Sequence, residues 1–138
     1  MKKLTILSIY CIIFNSCIVN NDCDPILEYN SDVVFYMDAN AAFYLYDQDV
    51  NYLRLILEGI EIGEMNYPFT IQITPPNCYD FGFISSTINW YQNPTKTVHW
   101  HVVDEYGTIR WEGNNILNPN DCSAFQLTYN NLNKIELN

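Results

Sequence analysis

The chain contains only two histidines, one residue apart in "TVHWHVV", where His99 and His101 flank Trp100. On an extended strand alternate side chains share a face. Both imidazoles would therefore project together, about 6.5–7 Å apart, while Trp100 turns the other way with Val98 and Val102. Two imidazoles at that spacing can share a zinc or copper ion, but a site needs a third and usually a fourth ligand. The nearest acids, Asp104 and Glu105, fall in a turn. The expectation is a solvent-facing histidine pair on a strand whose tryptophan enters the core, with a metal centre only if ligands arrive from elsewhere.

A second constellation is "DQDVNYLRLILE". Asp47, Asp49, Asn51 and Glu58 occupy positions 1, 3, 5 and 12 of an EF-hand-style calcium loop. The glycine that lets such a loop turn sharply at position 6 is missing, and Tyr52 stands there. A strand over 53–57 would also carry Glu58 away from the aspartates. An acidic surface turn is the default reading, and calcium the alternative. The third constellation is aromatic: Trp90, Trp100 and Trp111 with eleven tyrosines. Flat exposed rings on a sheet stack on sugars, with asparagines to bond the hydroxyls, whereas in a domain this small tryptophan more often fills the core. No G-x-S-x-G, H-E-x-x-H or phosphate-cradling glycine loop occurs. Nothing singles out a carboxylate pair for glycoside chemistry. The expectation is a protein that is not an enzyme and has no cofactor, calcium excepted.

The elements that must position these residues follow a leader. Lys2 and Lys3 precede a run of about eleven mostly apolar residues, Leu4 to Phe14, and then Asn15-Ser16-Cys17. That run is too short for a membrane helix of roughly 20 residues and fits a secretory signal. "FNSC" resembles a bacterial lipobox, with an apolar residue at −3, a small residue at −1 and the cysteine that takes lipid, although Asn15 is polar at −2. The resemblance implies cleavage after residue 16 and lipidation (palmitate) at Cys17. Acyl chains bind a bilayer by about 0.8 kcal/mol per buried methylene. The expected organisation is a signal over 1–16, a tether over 17–31 and one domain over 32–138, held in the cell envelope as an outer-membrane lipoprotein.

Beyond residue 17 only Arg54, Lys96, Arg110 and Lys134 stand against sixteen acids, a net charge near −12. Such a chain repels phosphate backbones, which excludes nucleic acid as a partner. Brief apolar or alternating runs recur every 8–15 residues between turn signals, the pattern of an all-β sandwich or barrel. "DVVFYM" (32–37) and "AFYLY" (42–46) are β-rich, "FTIQIT" (69–74) alternates cleanly, and "GFISSTINWY" (82–91) ends at Asn93-Pro94. "KTVHWHVVDEYGTIRWEG" (96–113) reads as two strands joined by Asp104–Gly107. "AFQLTY" (124–129) and "KIEL" (134–137) complete the sheet. Residues 52–65 admit a helix or a hairpin turning at Glu58-Gly59, and the hairpin is favoured. The fold expected is a single antiparallel β-sandwich, immunoglobulin- or transthyretin-like, of about seven or eight short strands.

Gly59 and Gly63, Cys78, Gly107, Trp111, Gly113 and Cys122 form a loose pattern over residues 52–128. It resembles a type of small bacterial lipoprotein β-domain, mostly of unknown function, with a cysteine in the middle loop and another just ahead of the last strand. The histidines of "TVHWHVV" depart from that type. Once Cys11 leaves with the signal and Cys17 takes lipid, Cys23, Cys78 and Cys122 remain. Cys78–Cys122 is the pair expected, with Cys23 bridging one of them as the alternative. These features point to a non-enzymatic module that binds a protein or glycan. The alternatives are an immunity or inhibitor protein that caps a basic cleft of a toxin or hydrolase, and a calcium- or metal-dependent adhesion domain.

Overall fold

The computed structural model describes residues 26–134. The signal, Cys17, Cys23 and residues 135–137 of "KIEL" lie outside the described residues. Seven strands, one helix and a 3-10 turn follow in the order β1 (Glu28–Met37), α1 (Ala39–Asp47), β2 (Tyr52–Leu57), β3 (Ile60–Asn66), β4 (Ile84–Tyr91), β5 (Lys96–Asp104), β6 (Ile109–Leu117), β7 (Cys122–Leu127) and Tyr129–Asn131. They form two sheets, β4-β1-β7 and β3-β2-β5-β6, packed as an all-β sandwich. β1 begins at Glu28, so the last residues read as tether are part of the sheet.

The period-2 patterns explain the larger sheet. In β2, Leu53, Leu55 and Leu57 are buried and alternate with half-buried Tyr52, Arg54 and Ile56. The favoured hairpin is what forms. Its two loop residues, Glu58 and Gly59, have φ of 52° and 79°, the pair of left-handed conformations a two-residue type I′ connection needs. In β5, Val98, Trp100 and Val102 face inward, and Trp111 of β6 joins them across the ladder. Gly113 lies opposite Trp100. A Cβ there would sit 2.7 Å from Cζ2 of the indole, so the ring lies directly on the backbone. The opposing wall comes from Val33, Phe35 and Met37 of β1 and Phe125 and Leu127 of β7. Phe35 meets Trp100 and Phe125 edge-on at 5.5 and 5.1 Å.

Three expectations are corrected. "AFYLY" is not a strand but the end of α1. The helix is set by residues upstream: Asp38 caps it, its Oδ1 accepting from the Ala41 amide at 2.7 Å, and the first turns hold Ala39, Ala41 and Ala42, the strongest helix former. Ala41, Ala42 and Leu45 bury one face. The sandwich is also not wholly antiparallel. β1 and β7 run parallel, with Val33 opposite Ser123 and Met37 opposite Leu127. A parallel pair needs a long crossover, and here the whole intervening domain supplies it. Finally, "FTIQIT" contributes only one bridge, Ile71 to Met37. Pro68 and Pro75-Pro76 bracket it, and β4 already takes that edge of β1 from Glu28 to Phe35, which leaves only the last residues of β1 to meet it.

Residues 67–83 instead form a strap beside the small sheet. The Gln72 amide donates to the Met37 carbonyl at 3.0 Å. Cys78 is bonded to Cys122, Cα to Cα 5.8 Å, as the cysteine count favoured. The Tyr79 hydroxyl donates to Asp32 Oδ2 at 2.5 Å. Val34 and Tyr36 lie on the face of β1 away from the sandwich core, yet they are buried, as residues under such a strap must be.

Candidate functional site

The helix and the strap enclose a groove. Its volume is about 260 Å³; Ala42, Phe43 and Tyr46 line it from α1, and Tyr67, Pro68, Phe69 and Ile71 from the strap. The helix presents two faces because Ala41 and Leu45, four apart, turn inward, which leaves Phe43 and Tyr46, three apart, outward. Phe43 is 63% exposed and Tyr46 57%. Tyr46 stacks on Tyr67 with centroids 5.5 Å apart, and Tyr67 meets Phe69 edge-on at 6.2 Å. Further along the strap Ile73, Tyr79 and Phe81 are almost fully exposed.

Sequence reasoning missed this groove because it read 42–46 as a strand, where Phe43 and Tyr46 fall on opposite faces. The signal present was Asp38 followed by "ANAA", a cap and three helix formers. The tryptophans do the opposite of what a sugar platform needs: Trp90, Trp100 and Trp111 are 6%, 8% and 1% exposed. Their indole N–H groups donate inside the fold to the Asn93 carbonyl, Asn115 Oδ1 and the Thr128 carbonyl respectively.

His99 and His101 do share the outer face of β5, ring centroids 5.7 Å apart. Glu112 of β6 lies across from His101 and Asn114 across from His99. The two acids next in sequence are engaged elsewhere. Asp104 is fully buried; its Oδ1 accepts from the amides of Tyr106 and Thr108, and its Oδ2 from Arg110 Nε at 2.8 Å. Glu105 accepts from the Asn51 amide at 2.7 Å. Among the described residues no group of three or more His, Cys, Asp or Glu is placed to hold a metal ion. The calcium constellation comes apart along β2. Asp47 ends α1 and Asp49 and Asn51 follow it, whereas Glu58 lies beyond a six-residue strand, roughly 20 Å from Asn51 at 3.3 Å per residue. There Glu58 accepts from the His99 amide at 2.6 Å and pairs with Lys96 at 3.3 Å.

Three carboxylates are held below their ordinary range. Asp32 is lowered by the hydroxyls of Thr87 and Tyr79, which donate to its ionised form. Glu58 is lowered first by the His99 amide, against the effect of burial, with Lys96 adding to it. At Glu105 burial acts upward, but amides including those of Asn51 and Tyr52 outweigh it. These are structural anchors of loops and strap, each satisfied by donors.

Among the described residues no helix is long and apolar enough to cross a membrane. The class defined by fold and site is a small disulfide-closed β-sandwich with an aromatic groove between α1 and a strap. No protein-family profile, no curated protein and no solved structure matches the chain.

Proposed function

We propose that the protein is a non-enzymatic interaction module of the bacterial cell envelope, lipid-anchored through Cys17, that engages a protein partner through the groove between α1 and the strap. One observation carries the reading. Phe43, Tyr46 and Tyr67 are more than half exposed and line one groove, where Tyr46 stacks on Tyr67. Large rings are left in water at a cost, and aromatic anchors of this kind dominate protein interfaces. The groove is walled almost wholly by apolar and aromatic side chains. That offers few groups for sugar hydroxyls and favours apolar side chains of a protein over a glycan. The lipobox-like "FNSC" supports the anchor.

The test is a photo-crosslinking amino acid placed at Phe43, with Asn114 on the outer face of β6 as the control position. A discrete crosslinked protein at Phe43, absent at Asn114 and lost when Tyr46→Ser and Tyr67→Ser are combined, supports the reading. Equal labelling at both positions overturns it. An inhibitor of a basic toxin or hydrolase is the second reading, favoured by the charge near −12 beyond Cys17. It requires that the same crosslink weaken steeply with salt.

A further inference from the structure

The small sheet has an unguarded edge. β4 pairs with β1 alone, and among the described residues its other side meets no ladder partner. The register determines which groups face outward. The Gln92 amide donates to the Leu27 carbonyl at 3.0 Å, so the hydrogen-bonded pairs recur at every second position: Trp90 with Tyr29, Ile88 with Ser31, Ser86 with Val33. The backbone N–H and C=O groups of Ser85, Thr87 and Asn89 and the N–H of Tyr91 therefore point away from β1, toward the free edge, while the Tyr91 carbonyl accepts from the Asn93 amide at 2.9 Å.

Natural edges are blunted by lysine, proline, a bulge or an inward charge. β4 reads "ISSTINWY" and pairs without a register shift, so it has none of these. The edge of the other sheet, β3, is guarded. It carries Glu61 and Glu64, and the register shifts opposite Leu55 and Ile56. The two edges meet where Ile84 packs against Gly63; a Cβ on that glycine would lie 3.0 Å from Ile84 Cγ2. Beyond this contact a cleft of about 290 Å³ opens, with Leu57, Ile60, Ile62 and Ile88 as its apolar lining. Ile60 is 69% exposed there.

We propose that the free edge of β4 is a strand-docking site for an extended, basic segment of a partner protein. The segment adds a strand to β4 through Ser85, Thr87, Asn89 and Tyr91. Every second side chain enters the cleft against Ile62 and Ile88, and the intervening positions carry lysine or arginine. Charge selects this occupant. Glu61 stands between Ile60 and Ile62 on β3, Glu28 accepts from the Tyr91 hydroxyl at 3.3 Å at the far end of the edge, and Glu58 and Lys96, which both border the cleft, neutralise each other. Of the basic residues, Arg110 is buried against Asp104 and Lys96 is paired with Glu58. A second copy would bring like charge to the edge, and a cationic strand would neutralise it. This edge is separate from the α1 groove, so either surface can fail without the other.

The test is amide hydrogen exchange on the full-length chain with a ten-residue peptide alternating valine and lysine. The comparison is the same peptide N-methylated along its pairing edge, unchanged in charge. At least tenfold slower exchange is expected at the amides of Ser85, Thr87, Asn89 and Tyr91 with the first peptide and not with the second. Asn89→Pro removes an outward amide that makes no bond to β1, and is expected to weaken the peptide at least tenfold. Should that variant fail to fold, Ile60→Asn, at an exposed position, gives the second reading, with a loss of about threefold or more. No binding, equal binding of both peptides, or protection at the amides of Phe43, Tyr46 and Phe69 instead would overturn the proposal. So would protection of the β4 amides that grows with protein concentration alone, which would place a second copy on the edge.

Discussion

Asp32 is the residue with the most consequences for its size. It sits on β1 directly across from Thr87 and beside Cys122, and takes hydroxyl hydrogen bonds from both Thr87 and Tyr79. Its carboxyl, like those of Glu58 and Glu105, is lowered in the fold. The stability such groups supply is fully present above their unfolded values of 3.8 and 4.5 and is lost as pH falls through the lower folded values. The melting temperature is therefore expected to be flat above about pH 5 and to fall below about pH 4. Asp32→Asn should make that fall shallower; a titration of melting temperature against pH for both proteins checks it. Gly113→Ala is expected to cost about 1–3 kcal/mol in a denaturant melt, because the new methyl meets the Trp100 ring. Asp38→Ala should cost about 1 kcal/mol or more through the lost helix cap. The same carboxylate also accepts from the Tyr129 amide, and the loss should appear as reduced helical signal.

At the scale of elements, what was legible in the sequence was whatever local pattern decides. β4, β5 and β6 are legible as runs between turn signals, β2 as the favoured of a hairpin and a helix, and Glu58-Gly59 and Asp104–Gly107 by turn chemistry that the structure repeats. The disulfide was the favoured pairing among Cys23, Cys78 and Cys122, with a bridge from Cys23 as the alternative, and Cys78–Cys122 is the bond that forms. What was not legible depends on partners distant in sequence. "FTIQIT" alternates as well as any strand, yet no open edge accepts it beyond one bridge. "AFYLY" has β-favouring residues but belongs to a helix nucleated upstream. The groove was invisible for that same reason, since it exists only where α1 and the strap lie together. The strap also yields a stability expectation. Reducing Cys78–Cys122 opens a loop of 44 residues, worth roughly 4 kcal/mol on the chain-entropy model. Double Cys→Ser substitution should lower denaturant stability by about that amount, and proteolysis should then cut first within 67–83.

For the whole molecule, charge and closure dominate. The calcium positions lie at the two ends of β2, and across the ladder the histidines face Asn114 and Glu112. Added calcium or zinc is accordingly expected to leave the melting temperature within about a degree, and a shift of several degrees would restore a metal-dependent reading. Cys17→Ser is expected to move the protein from the membrane to the soluble fraction after cell lysis, which tests the anchor independently of either binding surface.

The parallel pairing of β1 with β7 has one more implication, and it concerns time. β1 is the central strand of its sheet, and one of its two neighbours is the last strand among the described residues. The Ser31 hydroxyl bonds the Asp121 carbonyl across 90 residues. A ribosome or a translocase delivers the amino-terminal strand first, so one side of β1 waits unpaired until nearly all the rest has emerged. Contacts this distant make folding slow, and a nascent chain stalled before residue 122 cannot finish the small sheet. The domain closes late and as a unit, and until then the apolar run "VVFYM" of β1 keeps one edge open.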